Sequence, residues 1–311
     1  QTLIKRVCTI GVSMGIWVIF TIMAVVMQSV RSAAQKNLSH HLSSLSVTYA
    51  RYIYGLPIGI IYVISLFIIF DIQMDQILVA IKQFKFWVFI CIASIAQILA
   101  TAFVVKLFTY RNFSVAIAFS KTEAMMAGLF AAVFFQDYLS QLGWVAVALG
   151  VIGIILLSKI NFKNISSIPK QALFYGIGSG VLFAFTSLSL REASLILNLP
   201  LLLSASITLL FMLILQSIIC FVIIKKTQSD QLIKIKAHRK TAWFIGITSA
   251  LGSIGWFSAM SLQHVAIVKT LGQLEVVLML LLSVFYFKEK LSFQELCGIA
   301  LISLSVVFVF I

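Results

Sequence analysis

The chain has 311 residues, of which 61% are hydrophobic and 10% charged, with a formal net charge of +14 and a mean hydropathy of +1.11. About a quarter of the residues in a soluble domain are charged, so this composition excludes an ordinary soluble protein and describes a membrane-spanning one. The positive balance does not read as a nucleic-acid surface, because Lys and Arg sit mainly at the ends of apolar segments, where inside-facing loops collect them.

A spanning helix needs about 20 mostly apolar residues. The first candidate, 9–34, follows the basic opening QTLIKRVCTIG and runs past Val30 without a small-residue cleavage site. It is expected to be a retained spanning helix and not a cleaved signal. Further candidates are 46–70, 84–107, 113–135, 140–158, 171–191, 199–224, 241–262, 266–287 and 292–311, making ten in all. Apolar runs this long exclude strands, and most connections are short enough to predict antiparallel neighbours. The exception is KKTQSDQLIKIKAHRK, 225–240, read as a solvated basic loop. Cys8, Cys91, Cys220 and Cys297 are scattered, without CxxC or metal spacing, and read as small core residues in a reduced setting.

The chain repeats itself. A shift of 152 residues lays SVAIAFSKTEAMMAGLFAAVFFQDYLSQ, from 114, over AIVKTLGQLEVVLMLLLSVFYFKEKLSF, from 266. Glu123 then meets Glu275, and Asp137 meets Glu289. A shift of 160 sets Arg31-Ser-Ala-Ala over Arg191-Glu-Ala-Ser. Two halves follow, 1–162 and 163–311, each of five helices within one integrated transmembrane domain. Five is odd, so the second half enters from the opposite side. Such inverted repeats are typical of secondary transporters, whose substrate sites lie near the midplane.

Lys121 and Glu123 lie inside the apolar run AFSKTEAMMAGLF. A charge at the bilayer centre costs about 2.5–3.5 kcal/mol on insertion scales. Positions two apart on one helix point to nearly opposite faces, so these two cannot pair with each other. Glu275 and Lys269 stand in the repeat-related helix, and the expected partners are Lys121 with Glu275, or Lys269 with Glu123. Such pairs read either as ligand- or proton-binding groups that reshuffle between states, or as a static lock.

Polar stripes supply further candidates. Gln28, Arg31 and Gln35 share one face of the first span; Ser187, Arg191, Ser194 and Asn198 share one face of the sixth. Gln97 with Thr101, and Ser249 and Ser253 with Trp256, are similar in kind. Such stripes are expected to face protein or water, not lipid. For Arg31 and Arg191 the competing reading is snorkelling to the headgroups; for Arg51, beside Tyr49, Tyr52 and Tyr54, it is interfacial anchoring. Asp137 and Glu289 read as structural turn acids at the start of the next helix. Gly11/Gly15 and Gly176/Gly180 have spacing suited to close helix packing, and GIGSG at 176–180 lacks the context of a phosphate loop. His40, His41, His238 and His264 show no metal-ligand spacing, and no nucleophile–base or paired-carboxylate motif is visible. No enzyme, metal or cofactor is expected.

FFQDYLSQLGWVAVALGVIGIILL (134–157) and FYFKEKLSFQELCGIALISLSVVFVF (285–310) each place an acid and Leu-Ser before a glycine-containing final helix. With two five-helix halves and Arg51 in SVTYARYIYGLP, this resembles the drug/metabolite transporter superfamily, and its EamA-like branch in particular. The resemblance implies an exporter of small polar metabolites such as amino acids or amines, working by alternating access in a bacterial inner (plasma) membrane. Its expected partners are the small-molecule substrate, the lipid bilayer and coupled protons, with the chain a monomer or homodimer. Lys121 is also similar to a lysine in the fourth helix of nucleotide-sugar transporters, which leaves an exchanger of nucleotide sugars or phosphorylated metabolites as the alternative, with Lys121, Arg31 and Arg191 as phosphate contacts. A non-transporting membrane scaffold is the alternative of another class. The basic 225–240 stretch departs from the short, weakly charged loop of the family. Charge bias places both termini outside, whereas the resemblance implies cytoplasmic termini, and the orientation stays open.

Overall fold

The structure, a computed structural model, describes residues 15–107, 120–157, 170–278 and 292–310. Glu289 lies outside the described residues. Those described are mostly helical, joined by short turns, without a strand among them. In chain order the helices are α1 Ile16–Leu38, α2 Ser44–Ile53, α3 Leu56–Phe70, α4 Met74–Ile81, α5 Phe84–Leu107, α6 Glu123–Phe135, α7 Gln141–Leu157, α8 Lys170–Ile196, α9 Leu201–Thr227, α10 Asp230–Ala237, α11 Arg239–Leu262, α12 Val265–Leu271 and α13 Phe293–Val309.

Among the described residues, six helical segments are long and apolar enough to cross a membrane: α1, α2 with α3, α5, α8, α9 and α11. Helices α6, α7 and α13 are apolar too, with 13, 17 and 17 residues. Large apolar side chains point outward along them, among them Ile19, Ile68, Ile95 and Val133. That is the surface expected of helices solvated by lipid.

The chain forms two compact units. The first joins 1–98 to 186–263, and the second joins 99–185 to 264–311. In the first unit α11 packs along α1, and 83% of its apolar window is buried. Ser249, Ala250, Gly252, Ser253, Ser258 and Ala259 keep its surface small, which lets neighbouring backbones approach. Some buried hydroxyls bond back to their own helix: Thr248 Oγ1 on α11 donates to Phe244 O at 2.7 Å and Thr21 Oγ1 on α1 to Trp17 O at 2.7 Å. A bilayer offers no water for these groups, so the helix satisfies them itself.

The expected span 46–70 is broken at Tyr54 and Gly55, between α2 and α3. Pro57 has no N–H to give a preceding turn, and it sits in the first turn of α3, where none is needed. Polar residues in the left-handed region end α3 and α6, namely Asp71 at φ 49° and Gln136 at φ 54°. Just past α8, Asn198 adopts φ 52°. It is exposed beyond the end of that helix, which removes it from the polar stripe expected there.

In the second unit α13 opens with a capping box. Ser292 Oγ accepts from the Glu295 N–H while the Glu295 carboxylate accepts from the Ser292 N–H at 2.8 Å. Ser292→Ala is expected to lower stability by about 1 kcal/mol, read as a fall in the thermal midpoint of purified protein.

Candidate functional site

The two repeat-related acids stand just past helix breaks. Ser120 is helical, Lys121 and Thr122 turn, and α6 starts at Glu123. In the later copy α12 ends at Leu271, Gly272 and Gln273 turn, and 274–278 is helical again. The continuous spans expected over 113–135 and 266–287 are therefore interrupted within their described parts. A break leaves the first N–H groups of the next segment without partners in their own helix, and a carboxylate is favoured beside them. Glu123 and Glu275 occupy the first and second positions of their segments.

Both charges of the sequence puzzle find partners on another helix. Lys121 Nζ lies 2.5 Å from Glu275 Oε2, with side-chain exposures of 19% and 8%. Lys269 Nζ lies 2.7 Å from Glu123 Oε1, at 12% and 13%. Both expected cross-pairs form, and the four charges sum to zero. The acids are equivalent in the repeat, but the lysines are not: at a shift of 152, Lys121 aligns with Gln273 and Lys269 with Ile117. The breaks thus belong to both copies, while each copy supplies its cation from a different register. Ala124, Val147 and Ala266 pack together close by, with Met125 and Leu139 against them, so the pairs sit among apolar side chains.

Gln273 escaped the sequence reading. It is 1% exposed, and neither its amide oxygen nor its nitrogen hydrogen-bonds to a described residue. The amide lies against α7 where residue 150 is glycine; a Cβ there would stand 2.0 Å from Gln273 Oε1. Its alignment with Lys121 is the signal that could have found it.

Asp137 sits in the turn between α6 and α7, and its Oδ1 lies 2.9 Å from His264 Nδ1 at the start of α12. The N-terminal turn of α7 has Ser140, whose Oγ accepts from the Gly143 N–H at 3.0 Å.

The polar stripes fall in the first unit, except Thr101, which lies in the second. Trp256 Nε1 donates to Gln28 Oε1 at 2.9 Å, joining α11 to α1. Gln97 Oε1 accepts from Gln216 Nε2 at 2.7 Å, and both are buried. Gln216 is a second residue that the sequence reading passed over; its signal is a lone amide inside LLFMLILQSIICFVII. Arg31 is 7% exposed and Arg51 5%, with Arg51 Nε donating to Ser249 Oγ at 2.6 Å. Snorkelling of Arg31 and interfacial anchoring by Arg51 do not match these positions, because both side chains are buried in protein and Arg51 is held by the Ser249 hydroxyl. Arg191 is half-buried on α8, while Ser187 and Ser194 are fully so.

An all-helical chain with membrane-length apolar helices, two sequence repeats and ion pairs held among apolar side chains is an integral membrane protein of the transporter class. The model of the EamA-like transporter family matches residues 15–159 and 170–311, once over each repeat, and the chain belongs to that family. No curated protein matches the sequence. Among 27 matching chains of solved structures, one crystal structure of a protein aligns with a TM-score of 0.67. It covers 96% of this chain and 98% of its own at 14% identity, a likeness of fold alone.

Proposed function

We propose that the protein is a secondary active exporter of small polar metabolites such as amino acids or amines. It works by alternating access, with ten spanning helices in two inverted five-helix halves set in a bacterial inner membrane. The observation that carries this reading is the double ion pair at the two helix breaks. A carrier needs groups that satisfy one another when it is empty and release one another to a ligand or proton when it is loaded. Lys121 with Glu275 and Lys269 with Glu123 meet that need, since each pair spans two segments and its acid lies in the first two positions of one of them. Intramembrane charges of this kind mark substrate and proton paths by default. Gln273 adds a buried amide beside Glu275 in the chain. Gln28, Trp256, Gln97, Arg31 and Arg191 form a second group of candidate contacts, and a ligand ammonium, carboxylate or hydroxyl has partners among these residue types.

A thermal-stability panel on detergent-purified protein tests the reading. It compares amino acids, amines, nucleotides, sugar nucleotides and phosphorylated sugars. A ligand at 100 times its dissociation constant is expected to stabilise the fold by about 2.7 kcal/mol. Stabilisation by amino acids or amines is the expected result. A response confined to phosphorylated compounds would replace the exporter with an exchanger, and no response to any compound would favour a scaffold.

A further inference from the structure

The stretch 225–240 is not the solvated loop that its composition suggests, and the function proposed above does not draw on it. Membrane-length helices end at Thr227 and begin at Arg239, so what joins them lies at the membrane–water boundary. What joins them is folded: α10 occupies Asp230–Ala237. It is held in place on its inner face, where Ile235 is 3% exposed and Gln231 Oε1 accepts from the Ser43 N–H at 3.1 Å. Just past its end His238 stacks on His41, with ring centroids 4.7 Å apart.

The outer face is different in kind. Lys225, Lys226, Lys234, Lys236, Arg239 and Lys240 are all exposed. Asp230 is the single acid of the stretch, and Lys234 takes it at 3.1 Å; that hydrogen bond holds its carboxyl below the usual carboxylate range. Ile233 is 73% exposed and stands three positions before Lys236, on the same side of α10, and Lys240 follows in the first turn of α11. One turn further on, Trp243 and Phe244 are exposed at the start of α11. A large aliphatic side chain ringed by lysines is poorly placed in water and well placed at the boundary between headgroups and acyl chains.

We infer that α10 is a built binding surface for anionic phospholipids of the leaflet it meets, with Ile233 entering the acyl boundary and Lys226, Lys236, Arg239 and Lys240 on the headgroup phosphates. Charge and depth together identify the occupant. An excess of exposed cations needs a polyanionic partner, and an exposed isoleucine at headgroup depth needs an apolar one, which only a lipid supplies at once. The docked inner face means that the surface exists before lipid arrives, so binding carries little ordering cost.

The test uses full-length protein in zwitterionic detergent, with phosphatidylglycerol and phosphatidylcholine supplied at equal concentration and retained lipid counted by native mass spectrometry. Phosphatidylglycerol is expected to be retained preferentially. Each basic residue removed is expected to weaken that retention about five-fold, so Lys236→Gln/Arg239→Gln/Lys240→Gln loses about a hundred-fold. Ile233→Ser is expected to weaken retention as well, with an unchanged thermal midpoint. Lys82→Gln/Lys85→Gln, two exposed lysines where α4 gives way to α5, serves as the control and is expected to keep the preference. If the triple variant is unstable, Lys236→Gln alone is read for its five-fold loss. Equal retention of the two lipids by the unaltered protein would overturn the proposal, as would an equal loss in the Lys82/Lys85 control. Displacement of the lipid by inorganic phosphate at the same concentration would also overturn it, since the surface would then be a site for a soluble anion.

Discussion

Glu275→Gln alone is expected to abolish flux and to lower the thermal midpoint, whereas Lys121→Met/Glu275→Gln is expected to regain most of the stability and none of the flux. Removing one member of a buried pair leaves the other charge without compensation, at a cost of about 3–5 kcal/mol; removing both is often close to neutral. Lys121 is 19% exposed, so the penalty falls toward the lower end of that range. The second pair supplies an internal replicate, with Glu123→Gln against Lys269→Met/Glu123→Gln. Stability is measured on purified protein, and flux in proteoliposomes with the compound that the ligand panel identifies. If the double variant still transports, the pair is a lock between helices and the mechanism lies elsewhere. If the single variant loses flux while keeping full stability, the carboxylate acts on the ligand directly.

The partners in these pairs were legible before any fold was known, because two unaffordable charges on one helix and two on its repeat admit few neutral arrangements. The helix breaks beside them were not. Gly272 marks the later one; at the earlier one the polar run Ser120-Lys121-Thr122-Glu123 interrupts the apolar stretch, but without proline or glycine, and the apolar length of 113–135 as a whole still suits one span. The break at Tyr54 and Gly55 was readable from Gly55 and Pro57, yet a span is judged by its apolar length, and length was satisfied. Arg31 and Arg51 misled for a related reason. Their positions near segment ends suit snorkelling, and only the partners on other helices, such as Ser249 for Arg51, decide that they turn inward. Helix α10 is eight residues long and its periodic apolar signal rests on Leu232, Ile233 and Ile235, too few to outweigh the surrounding lysines. What pattern reveals is burial along one helix; what it leaves out is the identity of the neighbour.

Gly153→Val is expected to destabilise the second unit by about 3 kcal/mol or more, the upper range for overpacking, while Gly15→Ala should change stability by no more than about 0.5 kcal/mol. At residue 153 on α7 a Cβ would stand 2.7 Å from Ile302 Cγ1 and 2.9 Å from the Gly298 carbonyl oxygen. At residue 298 on α13 it would stand 2.9 Å from the Gly153 carbonyl oxygen and 2.7 Å from Leu157 Cγ. The two glycines therefore face each other, and the obstacle on each side includes backbone, which cannot rotate away. Nothing lies within 4 Å of a Cβ at residue 15. The clash at Gly298→Ala should be partly relieved by Leu157→Ala, which removes its side-chain component and leaves the carbonyl. Thermal midpoints of purified variants read all of these. The consequence reaches the ion pair, because Ile154, Leu157 and Ile302 form one cluster with Val277, with Leu274 and Val276 packed against it. These last three flank Glu275 on either side in the segment 274–278. A side chain that forces α7 from α13 removes the floor under that segment, so a folded Gly153→Ala protein should lose flux along with stability, with Lys121 and Glu275 both still present.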